Sequence, residues 1–418
     1  MQLKFFGGAS EVGRSAILMK DDRSLLFDFG VKIDHKIDYP VGIPTVDAVV
    51  LSHAHLDHSG FMPGVYTEES VPTFGTMPTL RLANLLLDDS LNIAKKEHLV
   101  SRFKKRQLTE FVNKYNPLKY HQRVSFGNFD IEFSDAGHIC GSAITMVERA
   151  KGRRLKRIVY TGDFKLDEQM LHNGAEIVAG DVLIIESTYA DRDHQDREQT
   201  VSNFVNRVQT VLDNGGNALV PAFAVGWSQE LLSILYENGM AASTYIDGMA
   251  KEATSIVMNF PEFISKPDVL AKAVREANWV RDKKDRDEAL NGPSVILTTS
   301  GMLHGGPVLD YITRLGRNSQ ILLTGFQQEG TNGRMLLDRG QIVLHGKPRK
   351  VPEPVSFYDF SAHAGRRDLY EYVRRSAPQV VVCVHGDQGN AKNFADTLRM
   401  EGFEAYAPVV GDTINLED

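Results

Sequence analysis

The amino-acid sequence predicts an α/β protein built as two compact units, and three features predict it. At 418 residues the chain exceeds what one hydrophobic core usually serves. Its first third reads as short apolar runs separated by glycine-rich turns, which suits strands better than helices. After Glu186 helical periodicity alternates with buried strands, the pattern of an α/β layer on a parallel sheet.

Taken in order, strands are expected at Leu3 to Phe6, Ala16 to Met19, Leu25 to Asp28 and Ala48 to Leu51, each bounded by Gly, Asp, Lys or Ser. Between Pro78 and Tyr115 the residues Leu82, Leu85, Leu86, Ile93, Leu108, Phe111 and Val112 recur near helical spacing, and Pro117 supplies a stop. Strand signals return at Asp130 to Phe133, Ala143 to Val147, Arg157 to Tyr160 and Val182 to Ile185. Helices at Val201 to Leu212 and Ser228 to Glu237 then alternate with strands at Ala218 to Pro221, Ser294 to Thr298 and Gln320 to Leu323. The wholly charged run Arg281 to Glu288 reads as a solvated helix or loop. Beyond the turn at Pro352 and Pro354, Val380 to Val384 is a last core strand, and it ends at His385.

Composition narrows the class. Two cysteines, Cys140 and Cys383, are too few for a disulfide framework and fit a reducing compartment, so a cytosolic, unexported protein is expected. No segment approaches the roughly 18 to 20 unbroken apolar residues that a membrane span requires. A formal net charge of -7 argues against a general nucleic-acid coat protein, which depends on surplus Lys and Arg. It leaves a nuclease open, because the carboxylates that bind cations lower the net charge while the bound metals restore local positive potential.

The strongest signal is Ser52-His53-Ala54-His55-Leu56-Asp57-His58, just past the apolar run Val49-Val50-Leu51. Three imidazoles and a carboxylate this close together have the density of a metal-ligand loop. In an extended loop, positions two apart project to the same side, so His53 and His55 can grip one ion while Asp57 and His58 face a second. Two ions need more ligands, and His138, Asp163 and His385 each follow a later strand. Singly each would more often be a structural polar residue; together they complete a set, with Asp163 able to bridge as no imidazole can. Nitrogen and carboxylate ligands without thiolate suit zinc, and Cys140 reads better as a small buried residue. A close metal pair lowers the pKa of a bridging water and neutralises charge on a phosphoryl oxygen, which is hydrolase chemistry.

With these residues assembled, the chain resembles a known family. His53-Ala54-His55-Leu56-Asp57-His58, with Asp28, His138 and Asp163 in this order, is similar to the metallo-β-lactamase superfamily, whose fold is an αββα sandwich with ligands on loops at one edge. Ile185-Glu186-Ser187-Thr188-Tyr189, Pro221-Ala222-Phe223-Ala224-Val225-Gly226, Ser300-Gly301-Met302-Leu303, Phe360-Ser361-Ala362-His363-Ala364 and Val384-His385-Gly386 resemble its β-CASP nucleases, in which an α/β domain is inserted into the sandwich. Glu11-Val12-Gly13-Arg14-Ser15 and Gly137-His138-Ile139-Cys140-Gly141-Ser142 narrow the likeness to the cleavage and polyadenylation specificity factor endonucleases and their archaeal relatives, with RNase J more distant. The resemblance implies a sandwich formed by 1–188 and 353–418 around a β-CASP domain at 189–352. It implies two Zn²⁺ ions, one held by His53, His55, His138 and Asp163, the other by Asp57, His58, Asp163 and His385, with Asp28 supporting the loop. His363 would be the general acid and Glu186 its partner, and Asp57 counts among the catalytic groups as well as the ligands.

The function implied is zinc-dependent hydrolysis of single-stranded RNA, endonucleolytic, with 5′-to-3′ trimming left open. The chain is expected to be the minimal two-domain form, the inserted domain closing over the metal edge as a cleft that admits a single strand. Ser300 and Ser361 are candidate phosphate contacts. Lys347, Arg349 and Lys350, or the groups Lys95-Lys96, Lys104-Lys105-Arg106 and Arg153-Arg154, could guide phosphates, although each reads equally well as a solvated face. One departure is Trp227 after Gly226, where relatives often carry Arg; it puts a phosphate contact there in doubt. Partners beyond RNA would be a second copy, through an apolar segment such as Tyr406-Ala407-Pro408-Val409-Val410, or proteins of an RNA-processing or decay complex. Three competing readings fit the sequence less well. A small-molecule hydrolase would need neither the insertion nor the His363 and His385 motifs. A DNA-directed relative usually has an apolar residue where this chain has His385, and a catalytically silent RNA-binding subunit typically loses several ligands that are all present here.

Overall fold

The computed structural model describes residues 1–33, 36–67, 70–149 and 155–416. Arg153 and Arg154 lie outside them. The chain forms two compact units, the first Met1–Glu168, Asn173–Asp193 and Ala362–Asp418, the second His194–Ser361 together with Gln169–His172.

The first unit holds two seven-stranded sheets. One runs in the order Thr413–Asn415, Gln2–Gly7, Ala16–Lys20, Ser24–Phe27, Ala48–Val50, Thr73–Gly75, Tyr115–Pro117. The other runs Glu404–Tyr406, Val380–Val384, Val182–Glu186, Arg157–Tyr160, Ala143–Arg149, Phe129–Asp135, Val124–Phe126. Alternating side chains of both meet in one apolar core, including Phe5, Ile17, Phe27 and Val50 from the first sheet and Phe133, Ile158, Ile184 and Val382 from the second. On its far side the second sheet packs Leu183, Ile185 and Cys383 against Leu369 and Val373 of the helix Arg366–Ser376 and Phe394 and Leu398 of the helix Gln388–Met400. The helices Met77–Lys96 and Lys105–Asn113 bury Leu82, Leu87, Leu108 and Phe111. The expected αββα sandwich is present.

Strand direction explains where a site can form. Ser24–Phe27, Ala48–Val50 and Thr73–Gly75 are mutually parallel, as are Arg157–Tyr160, Val182–Glu186 and Val380–Val384. Phe129–Asp135, two antiparallel steps from Arg157–Tyr160, points the same way. These carboxyl ends and the segments leaving them carry Asp28, His53 to His58, His138, Asp163, Glu186 and His385, and such an edge is where ligands bind in α/β sheets. Asp28, expected as a strand residue, instead leaves the strand with φ near +58°, a left-handed conformation that Asp tolerates better than most.

The second unit is a six-stranded, wholly parallel sheet ordered Asn278–Trp279, Thr244–Asp247, Ser294–Thr298, Asn217–Pro221, Gln320–Leu323, Val355–Phe357. Its core includes Leu219, Ile296, Tyr311, Ile321 and Leu336. The charged run near Arg281 is the helix Lys283–Ala289, which buries only Ala289. Cys140 and Cys383 are buried thiols. Among the described residues, no helix is long and apolar enough to cross a membrane.

Candidate metal centre

Asp163 organises the centre. It is buried, and its two oxygens look in different directions: Oδ2 lies 3.6 Å from His53 Nε2 and 4.0 Å from His138 Nε2, whereas Oδ1 lies 3.2 Å from both His58 Nε2 and His385 Nδ1. Asp57 Oδ2 is 3.4 Å from His385 Nε2, and His55 Nδ1 is 3.0 Å from His138 Nε2. Each of the sets His53, His55, His138, Asp163 and Asp57, His58, Asp163, His385 offers ligand atoms all within 4.8 Å of one another. The structure therefore brings together all seven residues read as ligands. Ser300 and Ser361 belong to the second unit, where the Ser300 hydroxyl accepts from His304 N and Ser361 N donates to Asp359. Trp227 opens the helix Trp227–Glu237, edge-on to Phe223.

The donors fit a metal pair. His53 Nε2 is buried without a hydrogen-bond partner and faces the same space as Asp163 Oδ2, an arrangement that costs free energy unless a cation occupies it. The far ring nitrogens are tied down. His58 Nδ1 donates to Asp28 Oδ2 at 2.6 Å, and His138 Nδ1 donates to the Ala362 carbonyl at 2.8 Å, which leaves each Nε2 lone pair for an ion.

Charge reinforces this reading. Burial and the neighbouring His58 hold His53 well below the ordinary imidazole value, and burial with His363 and His55 does the same for His138. Burial opposes protonation of His58 too, but Asp163 and Asp28 outweigh it and raise its pKa well above the ordinary value. Burial likewise opposes ionisation of Asp163, yet His385, His58 and His363 hold it well below the carboxylate range.

Asp28 does more than contact His58. Its carboxylate also accepts from Ser52 N and Ser52 Oγ, each at 2.7 Å, and from the Tyr160 hydroxyl at 2.6 Å. Nothing in the sequence marks Ser52 and Tyr160 beyond their flanking a candidate ligand segment, Ser52 before His53 and Tyr160 before Thr161-Gly162-Asp163. Gly30 is also required, because a Cβ there would lie 1.7 Å from the Asp57 carbonyl oxygen. Asp28→Asn would set an amide N–H against groups that are themselves donors. Metal affinity is then expected to fall by about 10- to 100-fold, read as zinc retained per chain after dialysis against a competing chelator.

A third group stands beside these two sets. His363 Nδ1 donates to Glu186, 3.0 Å from Oε2 and 3.2 Å from Oε1, and Glu186 Oε1 also accepts from Phe164 N at 2.9 Å. This leaves His363 Nε2 facing Asp163 Oδ2 at 4.0 Å. Burial lowers the His363 pKa, but Glu186 and Asp163 more than offset it and lift it to about 9. His385 sits at φ near +48°, held by its N–H to the Gly8 carbonyl at 2.7 Å and by the Thr188 hydroxyl to its carbonyl at 2.9 Å. Such strain persists where the surroundings over-determine it.

Comparison with known proteins agrees with this architecture. Residues 17–189 match the metallo-β-lactamase superfamily domain, 228–336 the Beta-Casp domain, and 345–408 the Zn-dependent metallo-hydrolase RNA specificity domain. "Probable RNase MJ4" of Methanocaldococcus jannaschii is 36% identical over the whole of both chains. "RNase aCSPSF2" of Saccharolobus solfataricus is 36% identical over 99% of this chain and 85% of its own. "Transcription termination factor FttA" of Methanocaldococcus jannaschii is 34% identical over 100% of this chain and 72% of its own. A crystal structure of a protein of unknown function from Enterococcus faecalis shares the fold, with a TM-score of 0.66, 16% identity and 99% of each chain covered. The chain belongs to the β-CASP family of metal-dependent nucleases within the metallo-β-lactamase superfamily, on its archaeal branch related to the cleavage and polyadenylation specificity factor.

Proposed function

We propose that the protein hydrolyses phosphodiester bonds within single-stranded RNA, using two zinc ions held by His53, His55, His138 and Asp163 and by Asp57, His58, Asp163 and His385. The observation that carries this reading is the divided carboxylate of Asp163, one oxygen toward each imidazole set, with the His363–Glu186 pair beside it. The names of the relatives, two of them RNases, support RNA as the substrate.

When bound, the ions would activate water and neutralise charge on the phosphoryl group. The chain's own groups do the rest. Asp57, whose side chain is 33% exposed, meets solvent and orients the attacking water. As water adds to phosphorus, giving up one proton to solvent, and the P–O3′ bond breaks, the 3′ oxygen takes the Nε2 proton of His363, which solvent later restores, leaving a 5′-phosphate and a 3′-hydroxyl. Glu186 fixes the imidazole ring through Nδ1 and favours its charged form.

A pH profile tests the pairing. With bound cations taking up the charge of Asp163, Glu186 is the carboxylate that keeps His363 protonated. Glu186→Gln should therefore lower the His363 pKa and move the alkaline limb of the kcat profile toward neutral pH, with the acid limb unmoved. An unshifted alkaline limb would remove His363 as the titrating acid.

The function is tested by incubating long RNAs with blocked and with free 5′ ends, with and without chelator, and mapping the products. Internal cuts on blocked RNA that chelator abolishes support the reading. Degradation that requires a free 5′ end would make the protein an exonuclease, and stoichiometric zinc with no cutting would make it a silent binding subunit.

A further inference from the structure

We infer that the hairpin Gln341–Lys350 in the second unit is a docking strip for the phosphate backbone of single-stranded RNA; this deepens the ribonuclease reading and rests on it. Strands Gln341–Leu344 and Lys347–Lys350 pair antiparallel in the register Gln341 to Lys350, Ile342 to Arg349, Val343 to Pro348 and Leu344 to Lys347. The two residues between them, His345 at φ near +50° and Gly346 near +74°, make the left-handed pair that a tight two-residue hairpin turn demands.

The hairpin is firmly rooted. Ile342 is buried in the core of the unit, and Asn332 grips Val343 from both sides, its Nδ2 donating to the Val343 carbonyl at 3.0 Å and its Oδ1 accepting from Val343 N at 2.7 Å. On this base the returning strand Lys347-Pro348-Arg349-Lys350 is exposed at every residue.

Its charge is uncompensated. The residues opposite Lys347, Arg349 and Lys350 are Leu344, Ile342 and Gln341, none of them acidic. No carboxylate among the described residues forms an ion pair with any of the three. Elsewhere in the same unit Arg334 is paired with Asp338 and Glu329, and Arg314 with Asp310 and Asp287. Concentrating unpaired cations on one anchored ribbon, in a chain of net charge -7, raises self-repulsion locally and suits a polyanion. A short exposed strand also carries lysine to discourage edge pairing, and that role alone would leave RNA binding untouched.

The test compares the parent protein with K347Q/R349Q/K350Q, both loaded with zinc, binding a phosphorothioate polyuridine strand that keeps the backbone charge and resists cutting. Each phosphate neutralised on a single strand contributes about 0.7 to the slope of log K against log salt, so the variant's slope should be shallower by about 2. Its KM for long RNA should rise at unchanged kcat, and its hydrolysis of bis(p-nitrophenyl) phosphate should match the parent's. Single variants, each expected to lower the slope by about 0.7, keep the test decisive if the triple variant folds poorly. A parent that cuts RNA, with slope and KM the same in the variants, overturns the docking strip alone. A parent that neither binds nor cuts RNA overturns the ribonuclease reading with it.

Discussion

Replacing His363 with alanine is expected to slow RNA cleavage by about 10² to 10⁴-fold while the zinc content stays at the parent level. The geometry makes the two halves of this expectation separable. His363 spends Nδ1 on Glu186 and presents Nε2 to the centre, 4.0 Å from Asp163 Oδ2. Asp163, Glu186 and His363 also offer ligand atoms within 4.8 Å of one another, so the same ring could serve an ion instead of a proton. A general acid and a ligand differ in what their loss removes. If the variant loses rate and keeps its zinc, His363 moves protons; if it loses zinc in proportion to rate, His363 is a ligand and the leaving oxygen needs another donor. A third outcome, parent rates with parent zinc, would take His363 out of the reaction.

The ligand loop was legible because its chemistry is dense in sequence: His53, His55, Asp57 and His58 announce themselves within one segment. His138, Asp163 and His385 were legible for a different reason, since each follows a clear apolar strand, and parallel strands in one sheet put their carboxyl ends on one edge. What the sequence could not show is which buried polar groups tie the ligands in place. The Ala362 carbonyl holds His138 across 224 residues of chain, and the Tyr160 hydroxyl reaches Asp28 across 132. Periodicity carries no information about such pairings, because a backbone carbonyl has no signature and a tyrosine at a strand end reads as core. The strand Thr244–Asp247 has one aliphatic residue, Ile246, between Tyr245 and Asp247, so no apolar run marks it. Gln169–His172 lies in sequence between two segments of the first unit but joins the second, where the Glu230 carboxylate accepts from Met170 N at 2.7 Å and Leu171 N at 3.0 Å.

Stripping zinc is expected to abolish cutting and to lower the melting temperature, and Asp163→Ala is expected to reproduce both losses where His55→Ala reproduces them only in part. Asp163 is the one residue common to both imidazole sets, so its removal takes one candidate ligand from each, whereas His55 belongs to one set alone. The thermal effect follows from linkage: an ion that binds only the folded chain stabilises it by about 4 kcal/mol when its free concentration is about 1,000 times its dissociation constant. Binding should also release protons. Asp163 and Asp28 raise the His58 pKa against the opposing effect of burial, which favours the Nε2 proton that an ion must displace. Zinc affinity should accordingly fall as pH drops, and calorimetry in two buffers of different ionisation enthalpy should show net proton release. A melting temperature indifferent to zinc would mean that these seven side chains, five of them buried, are satisfied without a cation, and one ion bound with unchanged affinity in Asp163→Ala would mean that the carboxylate bridges nothing.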